Sequence, residues 1–246
     1  MQDRRAFTEG KGRNILVYGV SRGLGAAIFK KLPTAQDTIY GVARSAPSFV
    51  NEAKSNHWIK ADLSMPENSL KNVLEHIGDK VIDLLIYNVG IWEEKAFSDE
   101  YDFESVSALE IQQMITTNIT ALILHIQGLL PNLRLSKNAK IILIGSTWAL
   151  PNHKGKEVVF SASKFALKGV AESLREIVRE DKIGVSVLNL GYLATEYDID
   201  VPVEEVLKMS EYSLIPLQDV LSAITFIAGT SNASCVKEII MPAMMD

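Results

Sequence analysis

Short runs of β-branched and aliphatic residues alternate along this chain with longer stretches in which apolar positions recur every three or four residues. The short runs predict strands over residues 14–18, 38–43, 57–60, 84–88, 140–144, 185–190 and 238–241. The longer periods predict helices over 24–32, 66–77, 108–130, 158–178 and 216–227, with Pro33, Pro131 and Gly229 as breakers at three of the ends. Such alternation is the pattern of repeated βαβ units, so an α/β fold with a parallel sheet of seven strands is expected. No linker, repeat or low-complexity tract interrupts it, and residues 14–246 read as a single domain behind a polar lead-in, residues 1–13. The segment 192–214 follows neither period and is expected to be a loop able to cover a site.

Composition narrows the possibilities. With 246 residues, 47% of them hydrophobic and 22% charged, the chain can fill one large core, and disorder is excluded. A net charge of −5 offers no general positive field for phosphate backbones, so nucleic acid is not expected as a partner. Cys235 is the single cysteine and cannot form an internal disulfide, while the four histidines show no zinc-type spacing. No metal is expected, and a reducing cytoplasm fits. The lead-in carries Arg4, Arg5, Lys11 and Arg13 but no apolar stretch of signal-peptide length. The longest apolar helical pattern is interrupted by Asn118, Thr120, His125 and Gln127, so no membrane association is expected.

The chemistry begins directly after the first strand, where Gly19-Val20-Ser21-Arg22-Gly23-Leu24-Gly25 leads into a helix. Glycines let a backbone turn sharply and approach a pyrophosphate, and a helix N-terminus presents unpaired N–H groups to the anion. After the second strand, the carboxylate that would mark a free ribose 2′-hydroxyl is replaced by Ala43-Arg44-Ser45. With Arg44 and Arg22 available as guanidinium forks, NADP(H) is preferred and NAD(H) remains the alternative. Further on, Ser146 follows the fifth strand, at the strand end that borders the ligand crevice in open parallel sheets. Lys164 lies four residues after Phe160 on a presumed helix, so the two share a face.

Together with Asn88-Val89-Gly90 and Asn118, the order of these motifs resembles that of the short-chain dehydrogenase/reductase family over nearly the whole chain. The resemblance implies a doubly wound, seven-stranded Rossmann sheet flanked by helices, and a homodimer or homotetramer built on the helices at 108–130 and 158–178. It implies that Gly19, Ser21, Arg22, Gly23, Leu24 and Gly25 hold the pyrophosphate region, that Arg44, Asp62 and Leu63 border the adenosine end, and that Asn88 and Gly90 lie along the cofactor. Asn118 would organise a water path to Lys164, Ser146 would bind the substrate oxygen, Lys164 would hold the nicotinamide ribose, and Gly191 and Thr195 would border the nicotinamide. The chain departs from the family pattern at Tyr18, Val89, Leu190 and Met241-Pro242-Ala243, and Ser146 stands one residue further from Phe160 than is usual, which keeps Thr147 as an alternative.

The largest departure is Phe160, which occupies the place of the family's catalytic tyrosine. A phenyl ring fills that volume but cannot donate, accept or ionise, so the general acid/base contribution should be missing while cofactor binding survives. The chain reads as an NADP(H)-dependent oxidoreductase acting on a small ketone, aldehyde or alcohol with impaired activity, as in a Tyr→Phe variant. A natural member could instead take its proton through Ser146, Asn118, Tyr192 or Tyr197. The alternative is a cofactor-binding, catalytically weak protein acting through a partner; the same scaffold can also host dehydration, epimerisation or cyclisation. The substrate side is expected from residues 91–101, 148–156 and 192–214, where Trp92, Trp148 and Leu150 add apolar character beside Glu93, Glu94 and His153.

Overall fold

The computed structural model describes residues 12–50 and 54–245, so most of the expected polar lead-in lies outside the described residues. The chain forms strands β1 (Asn14–Tyr18), β2 (Thr38–Ala43), β3 (Asn56–Lys60), β4 (Leu84–Tyr87), β5 (Lys140–Ile144), β6 (Gly184–Leu190) and β7 (Glu238–Met241). They build one parallel seven-stranded sheet in the order β3-β2-β1-β4-β5-β6-β7. The order reverses at β1 and β4, and at that switch point the strand ends open a crevice.

The central strands are buried on both faces because each divides its side chains between two cores. Leu16 and Tyr18 of β1 join one core with α2 (Pro66–Ile77), α4 (Ala121–Arg134) and α5 (Val158–Ile177). Ile15 and Val17 join the other, with α1 (Gly23–Lys31) and α7 (Leu217–Ala228). The period of two in the strands thus produces a doubly wound sandwich.

Three expectations are corrected. Residues 108–130 are not one uniform α-helix: α3 (Ala108–Ile115) passes through a π-turn (Thr116–Thr120) into α4. Pro131 does not end that helix, which continues to Arg134. Leu129 and Leu133 are fully buried, and Asn132 Nδ2 donates to Gly78 O at 2.7 Å and Lys80 O at 2.8 Å, so packing outweighs the missing proline N–H. The segment 192–214 is not all loop but contains a short helix, α6 (Val203–Met209).

By length and composition Ala108–Arg134 could cross a membrane. Its apolar residues Leu122, Ile126, Leu129 and Leu133 are buried in the core shared with α2 and the sheet.

Candidate active site

At the carboxyl end of β1 the chain turns into α1 through Gly19, with φ of +79°, and Gly23, with φ of +53°. Gly19 N–H donates to Val42 O at 2.9 Å, which fixes the turn beside the end of β2. Added bulk is excluded: a Cβ on Gly19 would stand 2.1 Å from Asn88 O, and one on Gly25 1.9 Å from Gly19 O. Asn88 Nδ2 donates back to Gly19 O at 3.3 Å. Leu24 is buried beneath the turn, whereas Ser21 and Arg22 are exposed above it. No side chain caps the N-terminus of α1 and its first turn holds no acid, leaving N–H groups and dipole unopposed. This bare, concave backbone fits a diphosphate.

Arg44 follows β2 and is exposed, and neither it nor Arg22 has an ion-pair partner among the described residues. At the end of edge strand β3, Asp62 Oδ1 accepts from Ser64 N at 3.0 Å and Ser64 Oγ at 2.8 Å, ordering a turn in which Leu63 is buried. On the opposite flank, the Thr195 methyl approaches within 3.3 Å of where a Gly23 Cβ would lie. Gly191 N donates to Met241 O at 2.9 Å. Ion pairs Lys30–Asp198 and Lys31–Asp200 tie the following residues to α1, beside an open pocket of about 240 Å³ next to the turn.

On α5, Lys164 is buried; its Nζ atom donates to Ile144 O at 3.1 Å and lies 5.6 Å from the centroid of the Phe160 ring. Burial lowers its pKa to about 8. A Cβ on Gly90 would come within 3.0 Å of that Nζ, so the strand end of β4 and the face of α5 meet there. Asn118, in the π-turn, accepts from Ile91 N at 2.9 Å and donates to Ile91 O at 2.8 Å and Ser163 Oγ at 3.1 Å. Its amide therefore braces the loop after β4 against α5. Ser146 Oγ accepts from Trp148 N at 3.2 Å, capping the 3₁₀ turn Thr147–Ala149 and keeping its own hydroxyl proton. The neighbouring Thr147 Oγ1 is buried without a hydrogen-bond partner.

Beyond Phe160 the walls are aromatic. Phe97 stands edge-to-face with Phe160 at 5.5 Å, Trp148 at 5.5 Å and Tyr192 at 6.3 Å, while Trp92 contacts Phe97 at 5.7 Å and Phe160 at 6.3 Å. Two buried carboxylates hold this wall. Glu93 Oε1 accepts from Val159 N at 2.9 Å and from Tyr101 OH at 3.3 Å, at the start of α5. Glu157 accepts from Phe97 N at 2.9 Å, Trp148 Nε1 at 2.8 Å and Lys156 N at 3.0 Å. Burial raises the pKa of Glu157, but these donors outweigh it and the net shift is downward.

The structure brings Gly19, Gly25 and Asn88 into mutual contact at the turn after β1, and Gly90, Phe160 and Lys164 together where the loop after β4 meets α5, with Asn118 bracing that loop. The sequence reading missed the latch made by Glu93 and Glu157 and the role of Phe97. An acid directly before the apolar start of a helix, as at Glu157, was the available signal.

A family model described as short chain dehydrogenase matches residues 13–205. The chain is 25% identical over 245 residues to a 3-oxoacyl-(acyl-carrier-protein) reductase of Aquifex aeolicus, covering 94% of this chain and 95% of that protein. It is 26% identical over 200 residues to an NADPH-dependent pterin aldehyde reductase of Arabidopsis thaliana, covering 75% and 76%. Among solved structures, a short chain dehydrogenase family protein of Francisella tularensis superposes with a TM-score of 0.75 at 22% identity, covering 94% of this chain and 96% of its own. A metagenomic short-chain oxidoreductase in complex with NADP gives 0.70 at 21% identity, covering 95% and 98%.

Proposed function

The chain belongs to the short-chain dehydrogenase family, and from that premise we propose that it is an NADP(H)-binding oxidoreductase whose carbonyl reduction is limited by the phenyl ring at Phe160. The observation that carries this reading is the assembled pair itself: a buried Lys164 ammonium beside Gly90, facing a ring with no oxygen. The N-terminus of α1, with Gly19, Gly23 and Gly25, would hold the diphosphate, Arg22 and Arg44 the 2′-phosphate, and Asp62 and Leu63 would border the adenine. Asn88, Gly90, Gly191 and Thr195 would flank the nicotinamide half, and Lys164 would donate to its ribose. When bound, the dinucleotide supplies or accepts a hydride.

The protein's own contribution is orientation and charge. Ser146 can donate its hydroxyl proton to a carbonyl oxygen as negative charge develops there. Phe160 excludes water and moves no proton, which removes a contribution of about 10²–10⁴ in rate. Segment 192–214, tied to α1 by its two ion pairs, would act as the lid.

A second reading, a dinucleotide-binding protein of weak catalytic power acting through a partner, is favoured by the same ring. NADPH titration paired with a panel of aldehydes and ketones separates the two. Binding in both proteins, with turnover rising about 100-fold or more in Phe160→Tyr, supports the oxidoreductase. Binding with no turnover in either supports the second reading, and no binding overturns both.

A further inference from the structure

We propose that the site takes a planar aromatic carbonyl compound, whose ring system replaces the phenyl ring of Phe97 against Phe160, Trp148 and Tyr192. This deepens the reading of the crevice as a carbonyl site and rests on it. Phe97 is the chain's own specimen of the ligand. Its ring meets Phe160 at an interplanar angle of 89°, Trp148 at 90° and Tyr192 at 83°, the edge-to-face arrangement that aromatic quadrupoles favour and a saturated ring does not gain from.

The ring is also held in a way that lets it leave. Phe97 is 39% exposed despite these contacts, so it has an outward path, and its φ of +63° is a backbone state that residues with a Cβ rarely adopt. Its N–H is anchored on Glu157 Oε1. Among the described non-glycine residues, Asn152 and Lys154 in 148–156, Glu211 and Tyr212 in 192–214, and Lys182 share this left-handed backbone.

Charge disfavours a cationic ligand. The Lys164 ammonium at 5.6 Å from the Phe160 ring opposes a cation, and the Glu157 carboxylate is already engaged by three donors. At the end of β5, the Ser146 proton and the unpartnered Thr147 hydroxyl are donors suited to a carbonyl oxygen.

The test is calorimetric titration of 2-acetylnaphthalene and of its fully saturated counterpart, with NADPH titrated separately. The aryl ketone should bind about tenfold more tightly than the saturated one, the sum of two or three ring contacts. Phe97→Gly, which suits the positive φ while removing the ring, should tighten the aryl ketone further, and Trp148→Leu should erase the aryl preference without changing NADPH affinity. Equal affinity for the two ketones, or unchanged aryl affinity in Phe97→Gly, overturns the proposal while leaving the dinucleotide reading intact. Aryl preference without NADPH binding would keep the ring site and remove the dinucleotide reading.

Discussion

The glycine turn after β1 and the aromatic wall around Phe160 meet at Gly90 and Lys164, yet they are held by opposite means. In the turn, position is set by backbone alone: Gly19 and Gly25 pack so closely on Asn88 O and Gly19 O that any side chain collides. In the wall, position is set by side chains on loops, fastened by Glu93 and Glu157 to the start of α5. The first arrangement tolerates almost no variation, because its contacts are between atoms every residue carries. The second can be repacked ring by ring, which is how one scaffold changes its substrate while keeping its cofactor.

The sharpest test of that contrast is Gly25→Ala. Its methyl would lie 1.9 Å from Gly19 O and 2.8 Å from Asn88 Nδ2, so the turn must open. NADPH affinity is expected to fall at least ~100-fold, and stability to urea by about 2–3 kcal/mol, an overpacking cost. Tryptophan emission from Trp92 and Trp148, measured with Trp58 replaced by Phe, should be unchanged. Near-normal NADPH binding would mean that this turn cradles no phosphate.

The same contrast explains what could be read from the chain. Strands 14–18, 38–43 and 140–144 were legible to the residue because most of their residues serve one of two cores, and 238–241 because Ile239 and Met241 alternate onto one of them. The glycine turn was legible because the positive φ of Gly19 and Gly23 is a local demand. Pro131 misled, since the partners that carry the helix past it, Gly78 and Lys80, lie more than fifty residues away in sequence. Helix α6 escaped because Val206 is its one buried residue, too little for a period. Nor does any local pattern tie Glu93 to Val159, 66 residues on, or give Phe97 a left-handed backbone.

Beneath the turn lies a titratable weak point, a buried imidazole. Tyr18 OH and Ser69 Oγ bond the two ring nitrogens of His125, each at 2.9 Å, and the imidazole is fully buried. Burial lowers its pKa from 6.5 to about 4. The unfolded chain therefore takes up the proton first as pH falls, so stability present above 6.5 is lost progressively down to about 4. The loss should reach up to about 3 kcal/mol, and should be absent from the difference between pH values in His125→Gln. Parallel acid profiles for the two proteins, from urea unfolding at several pH values, would show that the histidine is not neutral in the fold.

The smallest effect is expected in the wall, from Glu157→Gln. The carboxylate accepts from Phe97 N–H on one oxygen and from Trp148 Nε1–H and Lys156 N–H on the other. An amide has one acceptor oxygen, so its NH₂ must face a donor whichever way it turns. One buried donor is left unpaired at a cost of about 1–2 kcal/mol, and the Trp148 emission should shift as its indole loses or weakens its bond. Because the donors hold the Glu157 pKa below 4.5, the contribution is present above that value and fades as pH falls through the depressed folded-state value. The variant should therefore lose less stability than the parent in acid, while NADPH affinity stays unchanged. A fall in NADPH affinity comparable to that of Gly25→Ala would break the division, for it would mean that the loop carrying Phe97 sets the shape of the glycine turn as well.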